Sequence, residues 1–296
     1  MAKLFAADDF SKEIVVGDEI TGISAEASPF KGCVSLKTVY IGKRISHIGD
    51  YVFKDLKTLE CVRMPNVDTI GRSAFENCSA LKDVEWSDGD ISIGKYAFQN
   101  CTALESVAWE NVIHIDAGAF SGCTNLSGDI DMPKIKYLCG FSQSSISSIR
   151  TGGDLTFIGP SAFANCQWLK SAEINGKCSI PWRIFFKCSS LETVKFGDGM
   201  TGFTYNSTGT LSQHFDGCES LEDVYIGKGI TTVIDKLFIG RDSLKKVAIP
   251  NVRKIGSQSF QGCSSLSKVI TDGNVTTIND FAFKDCRSLE ELSLKN

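Results

Sequence analysis

The sequence has few of the residues from which catalytic and metal sites are built. Only three histidines occur among 296 residues, at His47, His114 and His214, and no Cys-x-x-Cys pair is present. A metal site needs several ligands close together, and a catalytic set needs a nucleophile beside a base. We therefore expect no enzymatic activity, no metal and no cofactor.

Basic charge and long hydrophobic runs are also lacking. The net charge is −4 and the sequence pI is about 5.5, so the chain has no basic excess for binding a phosphate backbone. No stretch approaches the roughly 18 consecutive apolar residues that indicate a transmembrane helix. We therefore expect neither nucleic-acid binding nor direct membrane insertion.

The first residues lack the pattern of a secretory signal. The stretch "MAKLFAADDFSKEIVV" has one Lys before a short apolar patch, and two Asp residues interrupt that patch. Either the protein is intracellular or a targeting segment has been removed, and the sequence leaves both interpretations open.

The sequence does contain a repeat of 22 to 23 residues. Phenylalanines recur at intervals of 21 to 23 residues, with one interval of 30. A fixed period of this length indicates a stack of repeated units. We expect an irregular N-terminal capping segment at 1–23 and about 12 repeats at 24–296, with a long insertion at 197–214. The anchor residues are Phe30, Phe53, Phe75, Phe98, Phe120, Phe141, Phe163, Phe185, Phe215, Phe238, Phe260 and Phe283.

Each repeat has two parts with different predicted structures. The run L-x-x-V-x-I, as in Leu81-Val84-Trp86, alternates apolar positions and predicts one short strand per repeat. The run I-G-x-x-A-F-x-N-C predicts a helical turn of about five residues. Gly71 stands at its expected N-cap, and Asn77 stands at a C-cap that tolerates a left-handed backbone. The fold class is therefore an α/β solenoid with parallel strands.

The repeats resemble the BspA-like, or Treponema pallidum-type, leucine-rich repeats. The segments "VDTIGRSAFENCSALKDV" and "VRKIGSQSFQGCSSLSKV" are similar to that family's unit with I-G-x-x-A-F-x-x-C. The resemblance implies a right-handed superhelix without catalytic residues. It also implies a bacterial or protozoan adhesion protein, at the cell surface or secreted, that binds a host matrix protein, a cell-surface protein or a surface glycan.

The missing export signal keeps a second interpretation open. In this alternative the chain is a cytoplasmic or wall-associated structural scaffold for protein–protein interaction. The sixth repeat also departs from the family pattern, because "KIKYLCGFSQSSISSIRTGG" lacks both the Cys after the Phe and the usual Leu.

Nine of the 12 cysteines stand three residues after an anchor phenylalanine. A reactive thiol is not needed nine times at one repeat position, whereas a small buried apolar residue is. We expect a ladder of unreactive, buried thiols. Cys61, Cys139 and Cys178 lie outside this ladder, and Cys61 occupies an outward strand position that predicts an exposed thiol.

The outward face of the predicted sheet is the natural place for a partner, because solenoid curvature would make it an extended concave surface. Outward positions are the third and fifth of each strand run. The candidate partner-binding residues on this face are Tyr40, Arg63, Asp83, Glu85, Arg150, Glu173, Lys195, Asp223, Tyr225, Lys246 and Lys268.

Two further features are candidates for partner contacts. The insertion "GDGMTGFTYNSTGTLSQHF" predicts a loop on which Phe203 and Tyr205 present exposed aromatic surface. At the other extreme, "LEELSLKN" ends within a predicted strand, whose open edge favours pairing. Either the natural protein continues past Asn296 or this C-terminal repeat associates edge to edge with another copy.

Overall fold

The computed structural model describes residues 12–23, 29–205 and 213–292 of the chain. Within these residues the secondary structure consists of short strands joined by turns, and no helix is present. In chain order the strands are β1 (Glu13–Val15), β2 (Thr38–Tyr40), β3 (His47–Ile48), β4 (Cys61–Arg63), β5 (Thr69–Ile70), β6 (Asp83–Glu85), β7 (Ile91–Ile93), β8 (Val112–Ile115), β9 (Asp129–Met132), β10 (Tyr137–Leu138), β11 (Ser148–Thr151), β12 (Phe157–Ile158), β13 (Ser171–Ile174), β14 (Thr193–Phe196), β15 (Asp223–Tyr225), β16 (Thr232–Val233), β17 (Lys246–Ala248), β18 (Lys254–Ile255), β19 (Lys268–Ile270), β20 (Thr277–Ile278) and β21 (Glu291–Leu292).

The strands belong to two compact units. The first contains residues up to Gly128 together with Tyr137–Ser145, and the second contains Asp129–Lys136 together with residues from Ile146 onward. The sheets of the first unit have the orders β1-β2-β4-β6 and β3-β5-β7-β8-β10. Those of the second have the orders β9-β11-β13-β14-β15-β17-β19-β21 and β16-β18-β20.

The predicted parallel stacking is confirmed in both units. Strand β2 pairs in parallel with β4, and β4 pairs in parallel with β6. The expectation of a single strand per repeat is wrong, because many turns carry a second short strand just before the I-G pair, such as β3 and β5. The fold is a parallel β-solenoid of about 12 turns, with six anchor phenylalanines in each unit.

The anchor phenylalanines form the core of each stack. In the first unit, neighbouring anchor rings are stacked with centroids 4.7 to 5.4 Å apart. In the second unit the corresponding spacings run from 5.1 to 5.9 Å. Each internal ring is fully buried, so every turn is stabilised by apolar contact with the turn on either side.

The predicted helical turn is wrong, and the backbone hydrogen bonds explain why. An α-helix would pair each N–H with a carbonyl four residues earlier. Instead Tyr51 N donates to Arg72 O at 2.9 Å, and Phe53 N donates to Ala74 O at 2.8 Å. Asp55 N likewise donates to the next turn, at Glu76 O. Alternate amides therefore point along the stack, and the segment between the caps is a series of tight turns.

The residue types assigned to caps have other purposes in this backbone. The left-handed conformation predicted two residues after the anchor is confirmed, with φ of +62° at Asn77 and +59° at Asn100. The glycine four residues before the anchor begins no helix. A Cβ at Gly71 would lie 2.7 Å from the carbonyl carbon of Gly49, so glycine allows two neighbouring turns to approach closely.

The expected cysteine ladder is largely confirmed. Seven of its nine thiols are buried, Cys33 and Cys286 are half-buried, and all are free among the residues that the structure describes. The structure adds a hydrogen bond, because Cys78 Sγ donates to Phe53 O at 3.0 Å and Cys101 Sγ donates to Phe75 O at 3.1 Å. Each thiol thus satisfies the anchor carbonyl of the preceding turn, which a purely apolar residue would leave buried and unpaired.

Replacing an internal anchor should destabilise the second unit strongly. Phe260 is fully buried and stacks on Phe238 and Phe283, so Phe260→Ala should lower the free energy of unfolding by about 3–5 kcal/mol. Phe281→Ala is the control, because this ring is 62% exposed. Urea denaturation of both variants measures the difference, and equal losses would contradict the assignment of the core.

Thiol labelling should separate the ladder from the outward strand position. Burial raises the pKa of Cys78 and of Cys123 to about 12, so both should stay unmodified by N-ethylmaleimide at neutral pH. Cys61, which is half-exposed, should react in the folded protein. Peptide mapping by mass spectrometry locates the adducts, with a denatured sample as the control. Labelling of Cys78 as fast as Cys61 would show that the ladder is open to solvent.

Candidate partner-binding face

The outward positions predicted from the sequence lie on the outside of each unit. In β2, β4, β6 and β15 the middle residue is buried and its two neighbours are partly or fully exposed. This alternation follows from the pleat, which sends successive side chains to opposite faces. We call the exposed side of β2, β4 and β6 the first outer face, and the exposed side of β9, β11, β13, β14, β15, β17 and β19 the second outer face.

On the first outer face three predicted residues form one row. The strand register places Tyr40 beside Arg63 and Arg63 beside Glu85. The guanidinium carbon of Arg63 lies 5.6 Å from the centre of the Tyr40 ring, and its Nε lies 3.4 Å from Glu85 Oε2. The row borders a shallow cavity of about 410 Å³ that Trp86 also lines. Arg63 is thus held between an aromatic ring and a carboxylate.

The neighbouring row of the first outer face contains Thr38, Cys61 and Asp83 in register. Ser106 and Ala108, the next outward pair in the sequence, line a small depression with Asp83 and Cys61. Their segment has no strand assignment, so the regular pairing of this sheet stops after β6.

The second outer face brings together three of the predicted charges. Arg150, Glu173 and Lys195 are register partners on β11, β13 and β14. Arg150 Nε lies 3.5 Å from Glu173 Oε2, and Lys195 Nζ lies 2.7 Å from Glu173 Oε1. The hydrogen bond from Lys195 holds the pKa of Glu173 below its ordinary value. Glu173 therefore stays ionised at neutral pH and fixes both cations.

Tyr225 occupies the next position of the same row and has a partner that the sequence did not reveal. Its hydroxyl donates to Asp198 Oδ1 at 2.7 Å. Desolvation and this hydrogen bond raise the pKa of Tyr225 to about 12. The backbone N–H of Lys228 and then the Tyr225 hydroxyl lower the pKa of Asp198. The Gly-Asp-Gly sequence at 197–199 indicated a turn, but nothing in it indicated that Asp198 would hold Tyr225.

The remaining predicted residues continue the parallel row. Asp223, Lys246 and Lys268 are in register, and Lys246 Nζ donates to Asp223 Oδ2 at 3.3 Å. At the other end of this sheet, Ser148 Oγ donates to Asp129 Oδ1 at 2.6 Å. Sequence reasoning missed Asp129 because the sixth repeat lacks the leucine that announces a strand elsewhere.

The predicted exposure of Phe203 is wrong. The ring is only 9% exposed, and it packs edge to face on Phe196 at 5.6 Å and on His214 at 5.3 Å between ring centres. The insertion therefore contributes a side chain to the core of the second unit. Tyr205 is 44% exposed, as expected. Residues 206–212 lie outside the described part of the chain.

The geometry of these faces suits binding and offers no reacting group. Opposite charges on adjacent strands compensate one another, so each face presents fixed hydrogen-bonding groups with little net charge. Within residues 12–23, 29–205 and 213–292, no group of His, Cys, Asp or Glu has an arrangement that could hold a metal ion. No helix in the same residues could cross a membrane.

Comparison with solved structures finds other leucine-rich repeat proteins. A leucine-rich cell surface protein from Faecalibacterium prausnitzii A2-165 is 23% identical, with a TM-score of 0.46 over 89% of this chain and 88% of that chain. A leucine-rich repeat protein from Bacteroides ovatus is 25% identical, with a TM-score of 0.37 over 83% and 82%. One from T. pallidum is 19% identical, with a TM-score of 0.26 over 90% and 89%. No curated protein matches significantly.

A family match covers the repeats almost end to end. The family described as BspA type leucine-rich repeat region (6 copies) matches residues 2–127, 92–210 and 209–296. The recurring Gly, Phe, Cys and Leu of the matched segments are the residues that bring the turns together and fill the core. The chain therefore belongs to the BspA-type leucine-rich repeat family.

Proposed function

We propose that this chain is a non-catalytic protein-interaction module whose partner binds across the outer faces. The observation that carries the proposal is the row Arg150, Glu173, Lys195 and Tyr225, which lines a shallow depression of about 340 Å³ on the second outer face. These side chains differ from repeat to repeat, whereas the buried ones recur. Members of leucine-rich repeat families are generally non-enzymatic and bind proteins.

The fixed geometry of this row favours specific contact with a polar partner. Glu173 holds Arg150 and Lys195 in place, so less side-chain entropy is lost when a partner binds. Because the charges are mutually compensated, long-range attraction contributes little and short-range complementarity decides the partner. A protein surface or a glycan meets this description. A nucleic acid does not, since it needs a basic excess that a net charge of −4 does not supply.

We further propose that the module acts in adhesion at the cell surface, with a matrix protein, a cell-surface protein or a surface glycan as the partner. The family membership supports this location, because BspA-type repeat proteins are typically surface-associated. The first outer face, with Tyr40, Arg63, Asp83 and Glu85, offers a second contact area of the same kind. Tyr205 adds exposed aromatic surface near the insertion.

Binding should depend on the second outer face. The purified chain is screened against matrix proteins, whole cells and glycan arrays, and the affinity of each hit is then measured with Arg150, Lys195 and Tyr225 changed together to Ala. We expect the Kd to rise at least about tenfold, because charged and aromatic anchors carry most binding energy.

The matched control is Lys254→Ala. Lys254 is an exposed strand lysine of the second unit, but it lies on β18 of the other sheet. The control should leave the Kd unchanged, and thermal unfolding confirms that all variants remain folded. A Kd that is unaffected by the triple change would reject the second outer face as the binding surface.

A further inference from the structure

A second surface feature lies on the turns of the second unit, away from its outer face. Arg183, in left-handed conformation with φ of +57°, begins a tight turn that Phe186 closes by donating its N–H to Arg183 O at 3.1 Å. The turn brings the two side chains together. The guanidinium carbon of Arg183 lies 4.4 Å from the centre of the Phe186 ring and 5.1 Å from that of Trp182. Lys187 Nζ lies 5.4 Å from the Phe186 ring.

We call Trp182, Arg183, Phe186 and Lys187 the turn cluster. Trp182, Arg183 and Phe186 are half-buried and Lys187 is exposed, so the cluster is reachable from solvent. No other turn of the described chain places one guanidinium against two aromatic rings. The combination of Trp, Arg and Phe is the composition that dominates binding hot spots.

The insertion helps to hold the turn cluster in place. Arg183 Nε donates to Gln213 Oε1 at 2.7 Å, and Gln213 lies at the end of the insertion, next to the buried His214. This bond fixes the plane of the guanidinium and leaves its two terminal nitrogens for another acceptor.

The cations of the turn cluster differ from those of the outer faces in one respect. Arg63, Arg150, Lys195 and Lys246 each have a carboxylate within ion-pair distance. Among the residues that the structure describes, neither Arg183 nor Lys187 has one. The turn cluster is therefore a rigid site with two uncompensated positive charges beside apolar ring surface.

We propose that the turn cluster is a docking site for an acidic polypeptide segment, in which a carboxylate beside an apolar side chain binds Arg183. The terminal nitrogens of a guanidinium match the two oxygens of a carboxylate. The adjacent rings of Trp182 and Phe186 suit the apolar neighbour. This inference is independent of the proposed function, because the turn cluster and the second outer face share no residue.

Charge and size favour a peptide over a larger polyanion. Affinity for nucleic acids and sulfated glycans grows with the number of anionic groups that a protein neutralises, and the turn cluster supplies only two cations on a chain of net charge −4. An acidic peptide needs one well-placed ion pair and an apolar contact, and both are present.

The test uses the full chain and a fluorescently labelled glutamate–tyrosine copolymer, with binding followed by fluorescence anisotropy at low salt. We expect saturable binding, with the Kd raised at least about tenfold by Arg183→Ala. Arg183→Lys should also weaken binding, because an ammonium keeps the charge but loses the planar fork.

Lys236→Ala is the matched control. Lys236 occupies the same left-handed turn position in a later repeat, with φ of +59°, and its replacement removes the same charge with the same backbone demand. This control should leave the Kd unchanged. Equal weakening by Lys236→Ala, or unchanged binding in Arg183→Ala and Arg183→Lys, would overturn the proposal. So would Arg183-dependent binding of heparin or of poly(U) in preference to the copolymer.

Discussion

The structure depends on backbone amides that each turn donates to the next. The segment around the anchor phenylalanine cannot satisfy its own N–H groups, since Phe53, Phe75 and Phe98 donate to carbonyls of the following turn. The thiol ladder satisfies carbonyls in the opposite direction, as with Cys101 Sγ and Phe75 O. A single repeat would therefore leave buried polar groups unpaired and one face of its phenylalanine exposed. Stacking satisfies both requirements at once, so the repeats stabilise one another.

This constraint separates the residues that build the stack from those free to vary. A residue that faces inward must fit a ring, a thiol or a close backbone approach, as Phe75, Cys78 and Gly71 do. Residues that face outward must only compensate their neighbours electrostatically, and Arg150, Glu173 and Lys195 show how adjacent strands do so. Partner specificity is expected to reside in these variable positions and in the turn cluster, where the charge is uncompensated.

The sequence predicts the repeat, the parallel strands, the buried anchors and the outward residues, because each depends on a period that is visible in the letters. It fails where the backbone overrides residue type. Asn77 announces its left-handed conformation, but Tyr51 and Ser73 adopt the same conformation with φ of +60° and +52°. That second left-handed residue breaks the expected helix, and only the neighbouring turn stabilises it. Phe203 misled in the other direction, since a Gly, Ser and Thr-rich stretch gave no sign that its aromatic ring packs in the core.

Residue-resolved hydrogen exchange tests the central claim most directly. The amides of Tyr51, Ser73 and Asn77 lie on the surface side of their turns, yet each donates to the following turn, at Arg72 O, Lys95 O and Gln99 O. The account predicts that these amides exchange slowly, together with those of Phe53 and Phe75, because only separation of neighbouring turns releases them. Fast, independent exchange at Tyr51, Ser73 and Asn77, with protection confined to the strands, would contradict it.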